Sequence, residues 1–186
     1  MAQRLIVLDR DGVINWDSTK YIKSPAEWQP LPGSMSAIAR LAAIGFDVVV
    51  CTNQSGIARG LLSRDDLSAI HARMDAAVRA AGGRLAAVFI CPHGPDDGCA
   101  CRKPKAGLLQ AVEHHFEASL CNRPVVGDSA RDLVAASRVG ARAMLVRTGN
   151  GEHTLASSAT DIAESYPNLA MLADHLIEEA EQGHGG

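Results

Sequence analysis

The chain has 186 residues and a formal net charge of −3 with no basic tract, which fits one domain with its own core and argues against a nucleic-acid partner. Apolar residues make up 47%, but no run is long enough to span a membrane, and Leu5–Leu8 is too short for a signal peptide. Five cysteines is an odd number, and three of them share one loop with a histidine, which favours metal over disulfides and a reducing, cytoplasmic compartment.

In chain order, Leu5–Leu8 reads as a buried strand. Ser34 to Ile44 reads as a helix with Met35, Ile38, Leu41 and Ala42 on its apolar stripe. Phe46–Cys51 is a second strand. Ser63-Arg-Asp-Asp66 opens a helix in capping-box style, with Leu67, Ile70, Met74 and Val78 as its buried face. Leu85–Ile90 is a third strand, and Ala106–Glu117 is helical. Pro124–Gly127 is a fourth strand, followed by a helix from Ser129 to about Val139. Ala141–Val146 is a fifth strand, and Leu169, Leu172, Leu176 and Ile177 mark a last helix. Residues 1–181 are expected to form one domain, and 182–186 a flexible tail.

Strands alternating with helices imply an α/β fold, a doubly wound and mostly parallel sheet with helices on both faces. Ligands in such sheets bind beyond the carboxyl ends of the strands. The polar motifs fall there: Asp9 after the first strand, Thr52 and Asn53 after the second, a Cys/His loop after the third, Asp128 after the fourth.

Asp9 and Asp11 are two apart at a strand end, so alternation would point both carboxylates to one side. They suit a metal site, or a nucleophile with an acid/base partner; a turn closed by its own Asp side chains is the plain alternative. A carboxylate approaching a phosphate dianion is repelled by about 4 kcal/mol per charge pair at roughly 4 Å and an effective dielectric near 20. Asp9, Asp11 and Asp128 offer oxygen ligands for Mg²⁺, while Thr52, Asn53 and Lys103 offer donors for phosphoryl oxygens. The set is consistent with phosphoryl transfer through an aspartyl phosphate. The run Thr52-Asn-Gln-Ser-Gly-Ile-Ala-Arg-Gly60 can cradle an anion, or serve only as a polar loop. Arg59 either touches substrate or orders that loop. Asp132 reads as an orienting acid for Lys103 or a metal water, or as a first-turn acid favoured by the helix dipole.

Cys91, His93, Cys99 and Cys101 form a tightly spaced Cys₃His set. Four protein ligands fill a tetrahedron, so the expectation is a closed, structural Zn²⁺ site folding the loop 91–104 and fixing Arg102 and Lys103. Cys51 is expected in the core and Cys121 in a loop. His71, His114, His115, His153, His175 and His184 show no partner pattern. Trp16, Tyr21 and Trp28 either wall a pocket or pack the segment after Asp11.

These motifs resemble the haloacid dehalogenase superfamily of phosphatases: Asp9-x-Asp11, Thr52, Lys103 and Gly127-Asp128-x-x-x-Asp132 match its four motifs in order. The resemblance implies a Rossmann-like core with Asp9 as nucleophile and Asp11 as the group that protonates the leaving oxygen and then activates water. It also implies Mg²⁺ held by the Asp9 carboxylate, the Asp11 main-chain carbonyl and Asp128. The spacing between motifs leaves no room for a large cap, so the loop after Asp11 and the zinc loop would wall an open site.

More narrowly, Leu-Asp-Arg-Asp-Gly-Val-Ile-Asn15, the Thr52–Gly60 run, the zinc loop ending Cys-Arg-Lys-Pro104 and Leu-Val-Arg-Thr-Gly149 resemble the family that removes the C7 phosphate of a heptose 1,7-bisphosphate, over residues 4–150. Only Lys105-Ala106-Gly107 departs from its pattern, at a helix start where Pro is favoured but dispensable. The resemblance implies substrate contacts from Asp17, Tyr21, Thr52, Asn53, Gln54, Ser55 and Arg102, with Lys103 on the phosphoryl group. It implies a small sugar phosphate as substrate and a place in ADP- or GDP-heptose supply for lipopolysaccharide or other surface glycans, while the open, uncapped site favours a monomer. The histidinol-phosphate phosphatases share the zinc loop and aspartates but not the Ser55-Gly-Ile-Ala-Arg59 run. A phospho-receiver would share the sheet, and a zinc-built interaction module the loop; neither needs Asp11 beside Asp9.

Overall fold

The computed structural model describes residues 4–157, 162 and 164–182. Its elements are β1 (Arg4–Leu8), α1 (Ser34–Ala43), β2 (Phe46–Asn53), α2 (Arg64–Ala80), β3 (Ala87–Cys91), α3 (Gly107–Phe116), β4 (Pro124–Gly127), α4 (Ala130–Ser137), β5 (Arg142–Val146), α5 (Gly151–Ser157), β6 (Ser165–Tyr166) and α6 (Leu169–Gln182). The strands form one sheet in the order β3-β2-β1-β4-β5-β6, and every neighbouring pair is parallel.

Strand residues of alternate parity feed two separate cores, as the pleat requires. Ile6, Leu8, Val48, Val50, Val126, Met144 and Val146 pack with the stripes of α1, α2 and α6. Leu5, Val7, Val49, Cys51 and Val125 pack on the other face with Leu108, Leu109 and Val112 of α3 and Ala135 and Ala136 of α4. Each fully buried Leu, Ile or Val contributes about 1.5–3 kcal/mol relative to exposure. Helix α2 begins as its sequence predicts, with Ser63 and Asp66 exchanging hydrogen bonds (Asp66 N–H to Ser63 Oγ 3.0 Å, Ser63 N–H to Asp66 Oδ2 2.8 Å) and Leu67, Ile70, Met74 and Val78 buried.

Several sequence expectations shift. The buried face of α1 is Ser34, Ala37, Ile38 and Leu41; of the expected stripe, Ile38 and Leu41 are fully buried, Met35 packs against the core at its edge and Ala42 is half-buried. Ser34 is buried with its hydroxyl 2.7 Å from the carbonyls of both Ile14 and Leu31, either of which can take its one proton. Strand β2 continues through Thr52 and Asn53, which pair with Ile90 and Cys91 of β3. Strand β3 begins at Ala87 and includes Cys91. Gln182, expected in the tail, ends α6, and 183–186 lie outside the described residues, as does His184. Helix α5 and strand β6 have no counterpart in the sequence reading. No described helix is long and apolar enough to cross a membrane. Between β1 and α1 the chain makes a loop pinned by bridges from Asn15 to Asp11 and Pro30, with Trp28 inside the core and Trp16 exposed.

The sheet order reverses direction of growth between β1 and β4. Their carboxyl ends therefore sit side by side at the switch point, where a crevice opens.

Candidate active site at the switch point

That crevice is a cleft of about 380 Å³. Every residue expected to touch substrate or to take part in the chemistry lines it: Asp9, Asp11, Asp17, Tyr21, Thr52, Asn53, Gln54, Ser55, Arg102, Lys103, Asp128 and Asp132. Arg59 lines it too, on the exposed side. Trp16 and Trp28 do not.

Lys103 is the buried centre of the cleft. Its Nζ lies 2.9 Å from Asp9 Oδ1 and 2.6 Å from Asp132 Oδ1, and donates to the Cys51 carbonyl at 2.9 Å. Burial pulls an ammonium down, but the two carboxylates outweigh it and hold Lys103 above the ordinary lysine range. Asp132 serves both readings given to it. Its Oδ2 caps α4, accepting from the Ser129 N–H at 3.1 Å and hydroxyl at 2.5 Å, while Oδ1 holds Lys103.

Carboxylate oxygens of Asp9, Asp128 and Asp132 lie within 4.8 Å of one another. Burial, with repulsion from Asp132, Asp128 and Asp11 and partial relief from Lys103, pushes Asp9 up to about 8. Burial, with Asp132 and Asp17 nearby, pushes Asp128 up to about 6. One lysine thus leaves three clustered carboxylates under-neutralised, and an all-oxygen donor set of this kind fits a hard divalent cation such as Mg²⁺.

Asp128 is held from the far half of the sheet. The Asn150 N–H donates to its Oδ2 at 2.8 Å, and the Thr154 hydroxyl to its carbonyl at 2.9 Å. Two glycines at positive φ close around it: a Cβ on Gly12 (φ 79) would fall 2.1 Å from Asp128 Oδ2, and one on Gly149 (φ 59) would fall 2.2 Å from the same atom. No other residue fits either position. The Thr148 hydroxyl donates to the Gly12 carbonyl at 2.7 Å and ties the two loops together.

Asp11 lies beyond the end of β1, so strand alternation does not set its direction. Its carboxylate turns from the cation cluster toward three donors. Arg10 meets it through Nε (3.1 Å) and Nη2 (2.9 and 3.0 Å), Asn15 Nδ2 donates at 2.9 Å and Gln54 Nε2 at 3.0 Å. Gln54 also donates to Thr52 Oγ1 at 2.8 Å. Asn53 brackets the main chain of Lys103, Nδ2 to its carbonyl and Oδ1 from its N–H, both at 3.1 Å. The side chains of Gln54 and Asn53 are therefore spent on positioning Thr52, Asp11 and Lys103. Asp17 reaches the cleft rim, 3.4 Å from Asn150 Nδ2, and Tyr21 enters at φ 63.

The four zinc-loop residues converge. Sγ of Cys91 lies 3.2 Å from Sγ of Cys101 and 3.8 Å from Sγ of Cys99, and His93 Nδ1 lies 3.3 Å from Cys101 and 3.7 Å from Cys91. Ligands about 2.3 Å from a tetrahedral centre would be about 3.8 Å apart. The described cysteines form no disulfide. This donor set fits Zn²⁺. The loop brings Arg102, whose Nη1 donates to the His93 carbonyl at 3.2 Å, to the cleft wall.

Sequence reasoning missed Arg10, Asn150 and Arg131. Arg131 and Arg102 line both the cleft and an adjoining hollow of about 430 Å³ that Lys105 and Arg138 also border. A signal for Arg131 was present: a cation in the first turn of a helix opposes the dipole and calls for a reason.

A family model described as HAD-hyrolase-like matches residues 100–177. The chain is 50% identical over 181 residues to the D-glycero-beta-D-manno-heptose-1,7-bisphosphate 7-phosphatase of Bordetella bronchiseptica, covering 95% of this chain and 99% of that one. It is 47% identical over 178 residues to the enzyme of the same name from Pseudomonas aeruginosa, covering 96% and 100%. A crystal structure of the D,D-heptose 1,7-bisphosphate phosphatase from B. bronchiseptica with magnesium and phosphate superposes with a TM-score of 0.92, at 49% identity over 95% of this chain and 99% of that one.

Proposed function

Because the chain belongs to the D-glycero-beta-D-manno-heptose-1,7-bisphosphate 7-phosphatase family, we propose that it hydrolyses the C7 phosphate of that sugar bisphosphate by way of an aspartyl phosphate. One observation carries the reading: Lys103 joins Asp9 to Asp132 at the switch point, with Asp128 closing the acidic cluster.

Asp9 Oδ attacks phosphorus while the bond from phosphorus to the C7 oxygen breaks. That oxygen takes the proton of Asp11, which is left ionised. Water then gives a proton back to Asp11 as it attacks phosphorus, and the Asp9–phosphorus bond breaks to release inorganic phosphate. Lys103, Thr52 and the main-chain N–H groups of Asn53 and Ser55 meet the phosphoryl oxygens, the Gln54 N–H being held by the Cys91 carbonyl at 2.7 Å. Mg²⁺, held by Asp9, Asp128 and the Asp11 main chain, would offset the repulsion between nucleophile and phosphate. Asp17, Tyr21, Ser55 and Arg102 meet the sugar. Arg102 and Arg131, facing both cleft and hollow, receive the second phosphate. Zn²⁺ on Cys91, His93, Cys99 and Cys101 holds the loop that carries Arg102.

The free thiols, the absence of any basic tract and the small-molecule cleft support a cytoplasmic enzyme that works as one catalytic unit, without nucleic acid or membrane, in the supply of nucleotide-activated heptose. The test is phosphate release with Mg²⁺ from both anomers of the bisphosphate and from histidinol phosphate. The bisphosphate is expected to turn over far faster, and Asp9→Asn to fall by roughly 10³-fold or more while staying folded. Faster release from histidinol phosphate would move the substrate assignment. Retained activity in Asp9→Asn would remove Asp9 as nucleophile.

A further inference from the structure

Arg10 stands between the two catalytic aspartates and is 1% exposed. A buried guanidinium needs an acceptor for each arm. Two of its nitrogens, Nε and Nη2, grip the Asp11 carboxylate, and the third, Nη1, lies 3.2 Å from Nε2 of His71. His71 sits on α2, sixty-one residues away in sequence, on the turn that carries Ile70 and Met74 into the core.

Arginine can only donate, so this contact requires Nε2 of His71 to be the acceptor: a neutral ring with its proton on Nδ1. Burial and the neighbouring guanidinium favour that neutral form, pushing His71 down to about 4. The arrangement is a chain from helix to acid: His71 holds one end of a planar fork, and the fork's other edge holds Asp11. Asn15 and Gln54 complete the hold on Asp11 but do not touch the guanidinium.

We propose that His71 is a positioning residue for proton transfer, setting the plane of Arg10 and through it the carboxylate of Asp11. The inference rests on the phosphatase reading above and on Asp11 as the group that trades the proton. A proton donor works only within hydrogen-bond reach and in line with the leaving oxygen, so losing one side of the fork's support lowers the rate of leaving-group departure. Among the described residues, no hydrogen bond or ion pair joins the cluster of Asp9, Asp128 and Asp132 to His71, so a substitution at His71 leaves its bonding as it is.

The test compares kcat/KM, which reports the steps through leaving-group departure, on the sugar bisphosphate and on p-nitrophenyl phosphate, whose leaving group needs no proton. His71→Phe keeps a ring at this half-buried position but removes the acceptor. It is expected to lose about tenfold on the sugar ester and less than about twofold on the aryl ester, with Mg²⁺ affinity near wild type and a melting temperature lowered by a few degrees, because Nη1 of Arg10 is left without its acceptor. His71→Gln, which returns an acceptor oxygen, is expected to recover most of the loss. Equal losses on both esters, full activity of His71→Phe, or a His71→Gln as impaired as His71→Phe would overturn the proposal while leaving the phosphatase reading intact. A wild-type protein that hydrolyses neither ester would overturn both.

Discussion

Asp9 faces opposing demands. It must be ionised to attack phosphorus, yet it lies among Asp128, Asp132 and Asp11 with Lys103 as its one close cation among the described residues. The consequence can be measured. Its ordinary value is 3.8, and burial with those neighbours raises it to about 8 in the metal-free fold. Between those values the folded protein keeps a proton that the unfolded chain has released. The raised group therefore favours folding below 3.8, and its contribution is lost as pH climbs toward 8. Asp128, raised to about 6, acts in the same direction over a lower window. A divalent cation displaces those protons, so its binding strengthens as pH rises through the same range. Mg²⁺ is thus expected to raise the melting temperature by about 3 °C or more beyond its effect near pH 5.5 when added near pH 8.5, and Asp9→Asn to flatten the difference. A larger Mg²⁺ effect at the acidic end would show that this cluster does not hold the cation.

At the scale of elements, the strands and long helices were legible because their buried faces repeat. Leu67, Ile70, Met74 and Val78 announce α2 at a period that only a helix satisfies. The stripe of α1 was legible at Ile38 and Leu41, with Met35 packed at its edge, but Ser34 was not, because it is buried through its hydroxyl and hydropathy counts it as an outward residue. Helix α5 escaped notice because its buried residues are Gly151 and Thr154, and Thr154 faces inward to bond Asp128. Strand β6 is two residues long and exists through its pairing with β5. The clustering of the Cys/His loop was legible from ligand spacing, but its hold on the cleft was not. Lys103 has its own anchors in Asn53, Asp9, Asp132 and Cys51, whereas the Arg102 side chain is anchored on the His93 carbonyl inside the loop. Removing the metal should therefore cost Arg102 its place before it costs Lys103. Cys99→Ser, checked for metal content, is expected to raise KM for the sugar bisphosphate about tenfold with a smaller change in kcat. A collapse of kcat at unchanged KM would put Lys103 under the control of the zinc loop instead.

Across the whole molecule, the cleft is assembled from the ends of β1, β2, β3 and β4 and from the loop after β5, so its residues are scattered from Asp9 to Asn150. Residues that carry their chemistry at a strand end could be placed from sequence. Those that act by bonding another side chain could not, as with Arg10 through His71 or Asp128 through Asn150, because nothing local records a partner sixty-one or twenty-two positions away. The same topology bears on assembly. The helical stripes are spent on the sheet: α1, α2 and α6 on one face, α3 and α4 on the other. Among the described residues, the large apolar side chains left exposed are Trp16, Leu61, Val134 and Met171. Val134 belongs to α4 and Met171 to α6, on opposite faces of the sheet, while Trp16 and Leu61 sit in separate loops. Scattered residues of this kind do not make the contiguous patch that a stable self-interface buries. The cleft, moreover, needs no side chain beyond those of this one chain to complete the acidic cluster and its lysine. A monomer of 19.6 kDa is expected by sedimentation, with activity per chain independent of protein concentration. A dimer whose dissociation on dilution lowers kcat would mean that a second copy supplies part of the cleft wall.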